Sequence, residues 1–211
     1  MARTGRPRAF DRDDAVDQAM QLFWQHGYDA TSLAQLKTEL GGGISAPSFY
    51  AAFGSKEALF DECVQRYLAT YAQVTECLWD ETLPPRQAIE TALRQSARMQ
   101  CDDGHPKGCM VTLGVMSAPS PENAHVAQAL THSRARTRAG IVACVERGVS
   151  GGLLAEDTNA AAMATVFDSF LQGISILARD DTPIESIDAA ITQVMRTWDV
   201  AAVGETSVEW Q

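Results

Sequence analysis

Three groups of residues have types and spacings that could do chemistry. Cys101, His105 and Cys109 fall in a C-x3-H-x3-C arrangement around a glycine and a proline. Two thiols and an imidazole are soft ligands. They could hold a metal with an open or borrowed fourth position, or offer an oxidisable thiol near Lys107. The same residues also read as a small core cysteine, since Cys109 sits in the apolar run GCMVTLGV, and a loop histidine. The second group is GVSGG at 148–152, which has the G-x-S-x-G form of a hydrolase nucleophile turn. That turn needs a strand before the serine and, in that fold's chain order, a histidine after it. Here helical sequence precedes it, and His26, His105, His125 and His132 all come earlier. It reads as a glycine-rich helix end. The third group is Arg134, Arg136 and Arg138 on one long helical stretch. Residues 134 and 138 share a face, which could bind an anionic effector or form a solvated, ion-paired surface. No acid–base or nucleophile set assembles, so no enzyme and no cofactor are expected. A helical enzyme of unknown reaction is the reading left from that class.

Composition narrows the class further. The 211 residues can build one large domain or two small ones. The net charge of −10 argues against indiscriminate coating of nucleic acid, which needs positive potential. Yet Arg3, Arg6 and Arg8 precede the first acidic residue, so a short basic arm leads an acidic chain. From charge alone that arm is either a solvated tail or a contact for phosphate. The five cysteines, Cys63, Cys77, Cys101, Cys109 and Cys144, are odd in number and scattered, which fits a reducing cytoplasm better than a disulfide framework. No uninterrupted apolar run nears the ~18 residues of a membrane span. The basic start has no apolar stretch behind it, so no secretory signal is expected.

The positioning elements read as helices throughout. Asp11 can cap a first helix carrying Val16, Ala19, Met20 and Phe23, stopped at Gly27. Thr31 is the cap candidate for a second, with Leu33, Leu36 and Leu40 inward. Gly41, Gly42 and Gly43 break it. Ser45 then caps a short third helix with Pro47 in its first turn and Phe49, Tyr50 and Phe53 behind. Gly54 ends that helix, and Ser55 caps a fourth. Further helices run from the double proline at 84–85 to about 100, through KGCMVTLGVMSA, from about 122 to 148, and over two final stretches. One of these carries Val166, Phe170, Gly173, Ile174 and Leu177, the other Ile184, Ile187, Ile191, Val194 and Trp198.

Helix, helix, turn, short helix is the layout of a helix-turn-helix unit. The third helix must be exposed at its N-terminal end to enter a major groove and anchored by apolar residues further on. SAPSFYAAF has that polarity. The segment from Thr31 to Phe60 resembles the TetR/AcrR family of bacterial transcriptional repressors. The resemblance rests on Thr31, Gly41, Ser45, Tyr50, Phe53 and SKEAL at 55–59, with FWQHGYDATS at 23–32 upstream. Counted from Thr31, Tyr50 lies two residues later than is usual in the family. The extra length falls in Gly41–Ile44, where glycines can adopt positive φ and loop the turn out.

The resemblance implies an all-α homodimer of about nine helices per chain. Residues 1–54 would form the helix-turn-helix DNA-binding domain with its basic arm. Residues 55–211 would form the effector-binding and dimerisation domain, the fourth helix bridging the two. It implies a regulator, a repressor released from double-stranded operator DNA by a small-molecule effector, with a thiol- or metal-responsive sensor at Cys101/His105/Cys109 as the alternative. Ser45, Ala46 and Ser48 would face base edges. Tyr50 and Lys56 would reach phosphates, as would Thr31 with its helix end and the arm of Arg3, Arg6 and Arg8. Phe49 is counted with this set beside Tyr50; Phe53 is taken as core. Cys109, Met110, Met163 and Phe167 are the candidate effector pocket, with Met99 and Met116 as further plastic lining or ordinary core. Val166, Phe170, Ile174, Leu177, Ile187, Ile191, Val194 and Trp198 are expected at the dimer interface. Neither a bound metal nor a membrane partner is expected.

Overall fold

The computed structural model describes residues 10–115 and 124–203. Within them lie nine α-helices, three 3-10 segments and no strand. A lone antiparallel bridge joins Leu154 and Ala202. The caps are largely those the sequence predicts. Asp11 accepts from the backbone N–H of Asp13 and Asp14 to start α1 (Arg12–His26), and Gly27 closes it at φ 80°. The next cap is one residue later than expected. Ser32, not Thr31, accepts from Gln35 N and opens α2 (Leu33–Glu39). Ser45 caps α3 (Ala46–Phe53) with Pro47 in its first turn, and Ser55 caps α4 (Lys56–Ala69).

Between α2 and α3 runs a 3-10 turn, Leu40–Gly42. Gly41, Gly42 and Gly43 have φ of 59°, 74° and 104°, so all three use the left-handed region glycine makes accessible. The turn is tied down. Gln18 Oε1 accepts from Gly41 N, and Ile44 N donates to Lys37 O. A Cβ on Gly41 would stand 2.7 Å from Cβ of Phe10.

After α4 the chain makes a nine-residue 3-10 stretch, Tyr71–Trp79, that the periodicity had not signalled. Then come α5 (Pro85–Cys101), the short α6 (Met110–Leu113), α7 (Gln128–Ser150), α8 (Ala160–Arg179) and α9 (Ile184–Ala201). A 3-10 turn, Ala124–Ala127, precedes α7, so its regular helix begins later than the expected start near 122. By length and mean hydropathy (1.4) α8 could cross a membrane. Here one of its flanks buries Met163, Phe167, Leu171 and Ile174 in the core. Its Asp168 accepts from Arg138 on α7.

Side chains divide into two apolar clusters. One joins α1–α4 to Met110, Val111, Val126 and Leu130. The other packs α5, α7, α8 and α9. This division corrects half of the expected dimer set. Ile174, Ile187, Ile191 and Trp198 are buried within their own chain, because those stripes face α5, α7 and each other. Val166 stays 43% exposed, and Phe170, Leu177 and Val194 are half-buried.

The second cluster has no slack at Gly148 on α7. A Cβ there would lie 2.5 Å from Cη2 and 2.8 Å from Cζ2 of Trp198. Trp198 is a rigid ring among packed neighbours. Gly148→Ala is therefore expected to cost about 1–3 kcal/mol by overpacking, read as a lower urea midpoint at unchanged m-value.

Candidate nucleic-acid interface

Helix α3 is held by one face and presents the other. Phe49 and Phe53 are four residues apart, so they share a face. Both are buried, 5.3 Å apart, and Phe10 packs 6.1 Å from Phe53. Phe49 is fully buried, so it is core and not a DNA-contacting residue; the expectation that grouped it with Tyr50 is corrected. The opposite face shows Ser45, Pro47, Ser48 and Ala51 exposed, Ala46 half-buried, and Tyr50 51% exposed. Ala51 was missed by the sequence reading, although it lies three residues on from Ser48 and so extends the same face. The hydroxyls of Ser45 and Ser48 bond to each other at 2.9 Å, and Ser45 Oγ also accepts from Ser48 N at 3.2 Å. Both groups can exchange that contact for another partner. Gly54, at φ 75°, then lets the chain turn sharply into α4.

Thr31 is also corrected. It is fully buried, and its hydroxyl donates to Gly27 O at 2.7 Å, the backbone that ends α1. It locks the α1–α2 corner and cannot reach an anion. Lys56, in the first turn of α4, is half-buried with its ammonium 4.0 Å over the Tyr28 ring. Burial lowers its pKa from the usual lysine value, while Asp29 and Glu57 oppose that shift. Burial, followed by Glu57, raises Tyr28 well above a normal phenol, so the ring under the lysine stays neutral. Arg3, Arg6 and Arg8 lie outside the described residues.

Arg12 binds the three-helix unit together. Its Nη1 and Nη2 each donate to Glu62 on α4 at 2.7 Å, and its Nε donates to Ala52 O at the end of α3. The bond from Arg12 pulls the Glu62 carboxyl below the usual range, more than its partial burial raises it. A depressed folded-state value adds stability above the unfolded value of about 4.3. That contribution is lost as pH falls through the depressed value. Glu62→Gln is expected to be less stable than the parent at pH 7 and to converge with it once the pH has fallen through the depressed value, as read by urea unfolding across an acid series.

This unit docks on the rest of the chain through the end of α1. Trp24 is fully buried and its Nε1 donates to Gly108 O at 3.1 Å. Its ring stacks on His105 at 4.4 Å and meets Tyr67 and Tyr71 edge-on. Arg179, from the end of α8, donates to Trp24 O at 2.6 Å, and Tyr28 N donates to Gly114 O at 3.0 Å.

Beside this junction lies a cavity among α5, α6, α7, α8 and the 71–79 stretch. Its walls include Ser96, Met99, Cys109, Thr112, Arg134 and Leu171, and its free space for a water-sized sphere is about 40 Å3. Of the four expected effector-pocket residues, Cys109 lines it. Met110 is buried in the first cluster and Met163 and Phe167 in the second, so these three are corrected to core. Met99 lines the cavity; Met116 lies outside the described residues.

Cys101, His105 and Cys109 do not form a ligand set. His105 is stacked on Trp24 with Nδ1 at Pro106 O, and the Tyr67 hydroxyl donates to Cys109 Sγ. Among the described residues no group of three His, Cys, Asp or Glu side chains is arranged to hold a metal. All five cysteines are free thiols.

A helix-turn-helix with an exposed, aromatic-anchored second helix, docked on a helical body, defines a DNA-binding transcription regulator. The family described as bacterial regulatory proteins, tetR family, matches residues 15–63. The HTH-type transcriptional repressor ComR of Escherichia coli is 31% identical over 195 residues, covering 92% of this chain and 91% of that protein. The HTH-type transcriptional repressor BdcR of the same organism is 38% identical over 113 residues, 54% of this chain and 56% of that one. Among solved structures, a cysteine mutant of the TetR family regulator CifR, complexed with 26-bp double-strand operator DNA, superposes with a TM-score of 0.81 at 36% identity. That match covers 92% of this chain and 100% of the other. The chain belongs to the TetR family. These relatives are transcription regulators.

Proposed function

We propose that the chain is a homodimeric, cytoplasmic repressor that binds a near-palindromic duplex operator and leaves it when a small molecule enters the α5–α8 cavity. The single observation that carries the DNA reading is the two-faced α3. Its two phenylalanines, Phe49 and Phe53, are buried, and Ser45, Pro47, Ser48, Tyr50 and Ala51 face outward. In this reading Ser45, Ala46, Ser48 and Ala51 meet base edges, where hydroxyls bond to either partner and methyl groups contact thymine. Tyr50, Lys56 and the Arg3, Arg6 and Arg8 arm meet phosphates and set register. Residues 1–54 are the reading unit, and 55–211 carry effector and partner, with α4 bridging. The CifR complex with operator DNA supports a duplex partner for this chain.

The outward strip of α8, with Val166, Phe170, Gly173 and Leu177 at helical spacing, supports a partner subunit there, with Val194 of α9 beside it. Phe170→Glu is expected to give a monomer by light scattering and to lower duplex affinity at least a hundredfold, since both half-sites must be held together. A variant that stays dimeric would move the interface elsewhere. A cavity of about 40 Å3 holds only a few waters. A larger effector must therefore widen it, and differential affinity for the widened state is what would shift the dimer off DNA. The whole proposal is tested by titrating a selected duplex with the protein. Two chains per duplex, with binding that weakens as salt rises, is the expected outcome. One chain per site would contradict it.

A further inference from the structure

We infer that the cavity is built for a small monoanion of the short carboxylate class, gripped by Arg134; this rests on the cavity being the effector site. Among the described residues of the cavity wall Arg134 is the one charged side chain, and no carboxylate lines it. Its neighbours on α7 are already neutralised. Arg136 pairs with Glu76, and Arg138 pairs with Asp168 at 2.7 Å. Among the described residues no carboxylate pairs with Arg134. Instead it donates from Nη1 to Val111 O at 2.5 Å and from Nη2 to Thr131 Oγ1 at 3.0 Å.

The rest of the polar lining points the same way. Ser133 and Thr137 flank Arg134 on α7, and Thr75 and Ser96 add hydroxyls from the other walls. Two amide oxygens that would repel an anion are occupied. Gln100 Oε1 accepts from Ser175 Oγ at 2.7 Å, and Gln172 Oε1 accepts from Thr112 Oγ1 at 2.7 Å. A guanidinium surrounded by hydroxyls recognises a carboxylate by forked, charge-assisted hydrogen bonds. The free space of about 40 Å3 admits the head group. A longer tail must displace Met99 or Leu171, side chains that adapt or move, so chains of one to four carbons fit best.

The grip is also where the signal leaves. The bond from Arg134 to Val111 O fastens α6 to α7. The segment containing α6 holds the end of α1 through Trp24 Nε1 to Gly108 O and Tyr28 N to Gly114 O. An anion competes for the guanidinium, weakens the hold on Val111 O, and frees α6 and with it α1. Anion binding and duplex binding then oppose each other.

The test titrates the full chain with formate, acetate, propionate and butyrate at constant ionic strength. The neutral isosteres acetamide and propionamide are run beside them, reading calorimetry and duplex release. Carboxylates are expected to saturate and weaken duplex binding at least tenfold, while the amides do neither. Arg134→Gln is expected to bind carboxylates at least tenfold more weakly, and Arg136→Gln to respond like the parent. Should Arg134→Gln not fold, Thr137→Val and Arg134→Lys decide, each expected to weaken carboxylate binding several-fold. Amides acting as well as carboxylates, or Arg134 variants responding like the parent, would overturn the assignment. Release by neutral or cationic compounds with no carboxylate binding would overturn the anion while leaving effector control standing. Carboxylate binding with an unchanged duplex affinity would uphold the anion site and overturn effector control.

Discussion

Trp24→Ala should lower the unfolding free energy by about 3–5 kcal/mol, the range for a fully buried large aromatic reduced to alanine. The tryptophan is fully enclosed, and it loses contacts with Tyr67, Tyr71 and His105 together. The substitution also takes the indole N–H donor away from Gly108 O. A buried carbonyl left unpaired costs about 1–3 kcal/mol. Trp24→Phe isolates that second part, because it keeps a ring on His105 and removes the donor. Urea unfolding of the three proteins separates packing from the hydrogen bond. Duplex affinity of Trp24→Phe then reads the junction's role in aligning α1, and with it α3. A loss under 1 kcal/mol for the alanine variant would mean the junction is looser than its geometry.

Lys56→Ala carries the second large effect, on DNA and not on folding. The ammonium rests on the Tyr28 ring, 4.0 Å from its centroid. A phosphate contact from each subunit, at about 1 kcal/mol each, gives a loss of roughly thirtyfold for a dimer. Removing two cationic contacts should also reduce the slope of log affinity against log salt by about 1.8. Every duplex should weaken alike, since a phosphate carries no base identity. An altered base preference with an unchanged salt slope would contradict the role assigned to it.

Much of the local structure is written in short-range signals. Asp11, Ser45 and Ser55 cap where hydroxyl or carboxylate precedes helical spacing, and Gly27 and Gly54 stop where positive φ is needed. The three-glycine turn was legible for the same reason. Thr31 and Ser32 show the limit. Both are capping residues, and only the packing of the α1–α2 corner decides which turns inward. Phe49 was decidable, since its four-residue spacing to Phe53 already placed them on one face while Tyr50 fell on another. The apolar stripes of α8 and α9 were not decidable. A stripe tells that a helix is covered on one side, and the covering surface was its own chain at Ile174, Ile187, Ile191 and Trp198. The cavity was the least legible part. Hydroxyl and amide residues alternate with apolar ones in its lining, drawn from five separate segments, and no local pattern announces it.

The central claim, that α3 reads a duplex in a symmetric dimer, is tested most directly by selection from a randomised duplex pool followed by sequencing. The expected result is an inverted repeat whose half-sites lie about one helical turn, ~34–36 Å, or slightly more apart. Ser48→Ala should relax the selected sequence within each half-site and leave the spacing unchanged. Recovery of no motif, or of a motif unaffected by Ser45, Ser48 and Ala51 substitutions together, would contradict the account.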